Sequence, residues 1–260
     1  LSGSMMSGIG AGPLLGRAAN TLGLPLTSAF YIAALASLVG VLVFWHLGTA
    51  LKRHATAPVS KISWGACRRV LSSRAVFAIV MVGLGGCVFG GLSSFQTSYA
   101  AAHGLDYSLF FAGFVSAAIT SRLLIAGYVV KRDAYVAACV LSGVMLGSIL
   151  LLAFGVSGSA SYLLAAVTLG IGYGLTYSVI NGLVANEAPA GTTSQALLLF
   201  SLAYFVGVFG FPWLAGWIIV EFGLPALMLS VLAVALGNWL ISLARLAWRR
   251  AASHKILQVR

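Results

Sequence analysis

The sequence predicts an all-α polytopic membrane protein with about eight transmembrane helices. Composition is the first reason: 60% of the 260 residues are apolar, 7% are charged, and the mean hydropathy is +1.03. A soluble domain of this size does not need so much apolar surface. The second reason is a series of apolar runs near 20 residues long, which at 1.5 Å per residue cross a hydrocarbon core of about 30 Å. The third is charge: alternating eight spans puts 13 of the 15 Lys/Arg residues on one side, the asymmetry that marks a cytoplasmic face.

Residues 1–16 are apolar and glycine-rich but short for a span, as in a helix whose beginning is missing. Leu1 is not an initiator methionine, and no basic-start signal peptide precedes the first apolar run. The expectation is a chain truncated at its N-terminus. Arg17 to Pro25 reads as a loop, and Thr27 to Leu47 as the next helix. Trp45 and His46 close that helix, where amphipathic rings favour the interface. Residues 51–74 are polar and carry Lys52, Arg53, Lys61, Arg68, Arg69 and Arg74 without an acid. Residues 62–71 within this linker suit a short amphipathic helix at headgroup level.

Helices then follow over Ala75–Tyr99, Ser108–Val130 and Ala134–Phe154. Next comes a hairpin of Ser161–Ala185, a polar turn at 186–194, and a second run to about Ile218. Leu224–Leu246 is the last span, and a basic tail follows. Tyr173, Tyr177 and Asn181 stand at i, i+4 and i+8, so they form one polar stripe on the first hairpin helix. A polar stripe in a membrane faces protein or water. Hydrogen bonding between helices and the lining of a solute cavity both explain it, and the set as a whole favours a cavity.

The charge distribution argues against nucleic acid, since no nucleic-acid-binding fold accompanies the basic linker. Cys67, Cys87 and Cys139 are widely spaced and read as free, buried thiols. The four acids (Asp106, Asp133, Glu187 and Glu221) sit at helix ends or in loops, as do the histidines, so no catalytic or metal-binding constellation is expected and no cofactor. Only Arg122 places a charge inside a span. Its position near one end suggests a gate contact or a side chain that snorkels to the interface.

Several stretches resemble the major facilitator superfamily, transporters built of two six-helix bundles. Gly8-x-x-x-Gly12-Pro13-x-x-Gly16 is similar to the signature ending that family's fifth helix, prominent in antiporters, with Arg17 where a final glycine is usual. Residues 121–133, with Arg122, Gly127, Lys131, Arg132 and Asp133, resemble the end of the eighth helix and its loop, Lys131 replacing an acid. Gly170 to Gly191 resembles the tenth helix, with Ser178 at a proline position. Residues 203–216 resemble the eleventh.

The resemblance implies residues 1–50 as the last two helices of an N-terminal bundle and 51–74 as a cytoplasmic linker. It implies 75–248 as a complete C-terminal bundle and 249–260 as a cytoplasmic tail. Four further helices of the same transporter would be its missing partner, along with the lipid bilayer and a small-molecule solute. Gln96, Tyr173, Tyr177, Asn181 and Tyr204 are the implied cavity residues. Gly8, Gly12, Pro13, Gly16, Arg122, Lys131, Arg132 and Asp133 are implied in packing and gating. The expected function is export of a small neutral, zwitterionic or amphipathic solute across the plasma (inner) membrane by alternating access. Any proton coupling would use a carboxylate from the missing part. The competing expectation is a truncated membrane protein that acts only as a scaffold for partners.

Overall fold

The computed structural model describes residues 12, 15–19, 21–25, 27–54, 63–129 and 131–258. The chain divides into two compact units, residues 1–61 and 62–260.

The main element of the first unit is helix α1 (Thr27–His54). Within its first 24 residues, Thr27–Ala50, an 18-residue window has a mean hydropathy of 2.1, enough in length and apolarity to cross a membrane. The helix passes the predicted end at Leu47 because no proline follows until Pro58. Gly12 and Gly16 lie in helical backbone, while Gly8 and Pro13 lie outside the described residues.

The second unit opens with α2 (Trp64–Leu71), the short helix expected inside the basic linker. It buries Ala66, Cys67 and Val70 and leaves Arg68 and Arg69 exposed. Five elements follow: α3 (Ala75–Ala102), α4 (Tyr107–Leu124), the single turn α5 (Ala126–Val129), α6 (Ala134–Phe154) and α7 (Ser159–Glu187). Then come α8 (Thr193–Phe205), one π turn (Val206–Gly210) and α9 (Phe211–Gln258). The span predicted over Ser108–Val130 is shorter than expected. It stops at Leu124 and resumes only briefly, with Gly127, a poor helix former, inside the fragment.

Among the described residues six stretches are long and apolar enough to cross a membrane, but the last runs over 59 residues, Thr193–Ala251. Straight, it would reach about 88 Å, nearly three times the hydrocarbon thickness. Gly223 divides it, with φ 81° and ψ 175° inside α9. Glycine adopts that conformation without the clash a Cβ would bring. Pro225 stands in the first turn after the break, where its missing N–H leaves no helical bond unmade. The second unit therefore crosses six times.

Alternation gives that unit two ends. One carries residues 72–74, 125–133, 188–192 and the C-terminal part of α9. The other carries residues 103–106, 155–158 and Gly223. Asp106 accepts from Ser108 N at 2.9 Å and Asp133 from Tyr135 N at 2.9 Å, so each caps a helix at opposite ends of the unit.

Helix α7 is central, packed against α3, α4, α6 and α8, while α9 covers α3 and α6. A Cβ on Gly172 would come within 2.7 Å of Met145 N and 3.1 Å of Leu141 O, so glycine is what lets α6 approach. The outer surface is apolar, with Val140, Leu164, Leu202, Phe209, Trp213 and Val220 all exposed. Water would not tolerate a surface of this kind, whereas lipid does.

Candidate functional site

Tyr173 is the middle residue of α7, about 21 Å of helix from either end. Its hydroxyl donates to the Tyr204 hydroxyl of α8 at 3.0 Å, and both residues are buried. The Tyr177 ring meets Tyr204 edge-on, with centroids 5.2 Å apart, and Phe200 at 5.1 Å. Phe89 of α3 stacks on Tyr173 at 5.3 Å. A hydroxyl pair and a ring cluster thus occupy the centre of the unit, where a tyrosine can present an apolar body and a polar tip together.

Beside them is a cavity of about 10 Å³, room for one water centre, lined among others by the three tyrosines, Gly85, Thr176 and Asn238. Asn238 Nδ2 donates to Met81 O at 3.1 Å. Asn238 Oδ1 and Thr176 Oγ1 are buried without a hydrogen-bond partner among the described residues. A buried acceptor left so costs about 1–3 kcal/mol, which makes these two atoms polar attachment points in an otherwise apolar core.

Arg122 belongs to this centre. It stands two residues before the end of α4, yet its Nε and Nη2 donate to Gly174 O at 3.1 and 2.9 Å. Gly174 follows the midpoint of α7. Helical side chains lean toward their own helix's N-terminus, which turns Arg122 back into the bilayer depth and away from the nearby end. Of the two expectations for Arg122, a gate contact or a side chain that snorkels to the interface, the inward turn speaks against the second. Gly174 permits the contact: a Cβ there would stand 3.2 Å from Ala118 Cα, so α4 passes close to the carbonyl. The guanidinium lies near enough to Tyr173, Tyr177 and Tyr204 for its charge to act on all three. A cation at mid-depth costs roughly 2.5–3.5 kcal/mol on insertion scales, so it is held where the fold gives it acceptors.

The other candidate residues are distributed. Gln96 of α3 lies toward the Asp106 end, buried, and donates from Nε2 to Tyr162 OH at 2.8 Å. Asn181 continues the stripe of Tyr173 and Tyr177 toward the Glu187 end and is half-buried. Arg132 donates to Tyr128 OH and lies 4.6 Å over that ring. It also borders a cavity of about 180 Å³ that includes Ser178, Gly182 and Asn186. Asp133 pairs with Arg249 of α9 as well as capping α6, and Lys131 is exposed beside them.

Sequence reasoning missed Asn238, Ser242 and Arg245, which stand at i, i+4 and i+7 and are all buried. The signal was present as three polar residues on one face of the apolar run 224–246. Arg245 Nη2 reaches Glu187 Oε1 and Oε2 at 2.6 and 2.5 Å, and Tyr135 OH donates to the same carboxylate. Among the described residues, no cluster of His, Cys, Asp and Glu has the makings of a metal site.

No curated protein matches the chain. A family model described as Major Facilitator Superfamily matches residues 1–212, which takes in α1 to α8, the π turn and the start of α9. That match covers most of the sequence and agrees with an all-helical, polytopic architecture: the chain belongs to the Major Facilitator Superfamily, a family of membrane transporters.

Proposed function

We propose that the chain forms part of a solute exporter of the plasma membrane, with the linker at 51–74 and the C-terminus cytoplasmic. Residues 75–248 act as its C-terminal bundle. The single observation that carries this reading is the polar centre at mid-depth, where Arg122, Tyr173, Tyr177 and Tyr204 converge. A buried ionisable group inside a membrane marks a solute path by default. Alternating access rocks one bundle against another around a site at the bilayer midplane, the depth of Tyr173. Export follows from the antiporter-like Gly8 to Gly16 signature. The sidedness of Lys/Arg supports the orientation: Arg74, Lys131, Arg132, Arg249 and Arg250 lie at the Glu187 end of the bundle, and none lies in the loops of the other. The solute is small and amphipathic, matched to tyrosines that offer ring faces and hydroxyls. Asn181 and Gln96 serve as further polar contacts along the path, and Gly8, Gly12, Pro13 and Gly16 as packing positions that yield during rocking. Lys131, Arg132 and Asp133 act at the cytoplasmic gate.

The test uses cells stripped of their own exporters and loaded with fluorescent amphipathic dyes of differing charge. Expression of the protein as encoded should lower accumulation of at least one dye, and a protonophore should abolish the effect if transport is proton-coupled. Raised accumulation would show import and overturn the direction. No change with any dye, at verified membrane expression, would overturn the transport reading of this polar centre.

A further inference from the structure

The early stop of α4 at Leu124 leaves a notch beside α7. Its volume is about 180 Å³, and it lies between one face of α7 and the fragment α5 with the loop that follows. Ser178, Gly182 and Asn186 recur every four residues along that face, and all three are exposed. Ser178 and Asn186 are about 12 Å apart along the helix axis. Asn186 precedes the last residue of α7, so the notch starts at headgroup level and runs inward to hydrocarbon depth. Val129, Leu175 and Val179 give it apolar walls. Leu123, Leu124 and Tyr128, on and just past the end of α4, are exposed at 78%, 76% and 59%.

Arg132 lines the same notch from the loop, and Lys131 is exposed beside it. The Arg132 guanidinium is already oriented: Tyr128 OH accepts from its Nη2, and the Tyr128 ring lies 4.6 Å beneath it. That hydroxyl takes one of the five donors a guanidinium carries. The adjacent carboxylate, Asp133, is turned to Arg249 and to the first backbone N–H groups of α6.

We infer that the notch seats an anionic phospholipid of the cytoplasmic leaflet, on the orientation proposed above. Its phosphate rests on Arg132, with the Asn186 amide as a further donor, and the upper part of one acyl chain lies along Val129, Leu175 and Val179. Basic pockets between membrane helices on the cytoplasmic side suit acidic headgroups. The guanidinium fork matches phosphate oxygens, and fixing it on Tyr128 in advance lowers the ordering cost of binding. Free phosphate would use the cation and leave the apolar walls empty. A choline headgroup would bring a cation of its own against Lys131. Seated there, the lipid joins the loop at 125–133 to α7, whatever solute crosses the polar centre.

The test is photolabelling of the protein as encoded, in phosphatidylcholine nanodiscs doped with a lipid that carries a diazirine on one acyl chain. The doped lipid is phosphatidylglycerol in one sample and phosphatidylcholine in the other. Trypsin releases Leu123–Lys131, the segment bordering the notch, and its label is read by mass spectrometry relative to the rest of the chain. That relative label should be about fivefold higher with phosphatidylglycerol, the scale of one basic residue at an anionic headgroup. The excess should vanish in Arg132→Gln. It should also vanish in Gly182→Leu, which keeps every charge and fills the notch; a Cβ at Gly182 meets nothing within 4 Å, so α7 accepts the side chain.

Equal labelling by the two lipids in the unaltered protein overturns the inference. An excess that persists in Arg132→Gln removes Arg132 as the headgroup contact and overturns it too. Persistence in Gly182→Leu shows a general attraction to the basic face and no seated lipid. Loss of the excess on adding inorganic phosphate, but not chloride of equal ionic strength, assigns the notch to a free oxyanion and overturns the lipid.

Discussion

Arg245 holds both carboxylate oxygens of Glu187, at 2.6 and 2.5 Å, with the two side chains 5% and 10% exposed. The pair ties α9 to α7, and the Tyr135 hydroxyl draws α6 into the same knot. Removing one member strands the other's charge in a dry site, which costs about 3–5 kcal/mol. Arg245→Ala and Glu187→Ala should each lower the thermal midpoint of the purified protein in detergent. The double variant Arg245→Met/Glu187→Leu should recover most of the loss. Losses that simply add in the double variant would show the two residues acting independently.

Glycine contacts give a sharper contrast. Gly172→Ala drives a methyl into the backbone of α6, and Gly147→Ala meets nothing within 4 Å. The first should cost about 1–3 kcal/mol by overpacking. The second should be neutral or gain up to about 1 kcal/mol of helix propensity. Thermal unfolding of both in one detergent decides it, and equal midpoints would place the α6–α7 crossing farther apart than described.

The Tyr173–Tyr204 hydroxyl pair should matter more to flux than to folding. Tyr204→Phe leaves the Tyr173 hydroxyl buried without this acceptor, for about 1–3 kcal/mol at most. Tyr173→Phe/Tyr204→Phe removes both hydroxyls and should restore the midpoint while leaving dye export impaired. Full export by the double variant would reduce the pair to a packing contact.

Orientation is testable by labelling from outside the cell. Single cysteines at Ser60 and Ser253 should be protected from an impermeant maleimide, and one at Ala102 should react. Reaction at Ser60 would invert the topology.

Helix positions were legible in the sequence because a bilayer imposes a length on every span and a residue type on its surface. The linker helix at Trp64–Leu71 was legible for the same reason, as its apolar and basic residues fall on opposite faces. The Tyr173/Tyr177 stripe could be read from spacing alone, but its partner Tyr204 came from another helix and only through family resemblance. The sequence leaves a gate contact and a snorkelling side chain both open for Arg122, because linear position near a helix end does not show which acceptors another helix brings within reach. Asn238 is marked in the sequence only by its spacing from Ser242 and Arg245, and its partner Met81 O, 157 residues away, is not legible at all. The early stop of α4 at Leu124 had no strong breaker to announce it.

The break at Gly223 bears on how the protein is made. One non-helical residue separates two stretches that each cross the bilayer, so no loop exists to be translocated between them. The first stretch cannot settle across the membrane and wait for the second to emerge from the ribosome without stretching the turn open. Both must partition together, as a closed hairpin with Glu221 beside its tip. A tag or domain spliced at Gly223 would therefore interfere with biogenesis before it could disturb any contact in the finished fold.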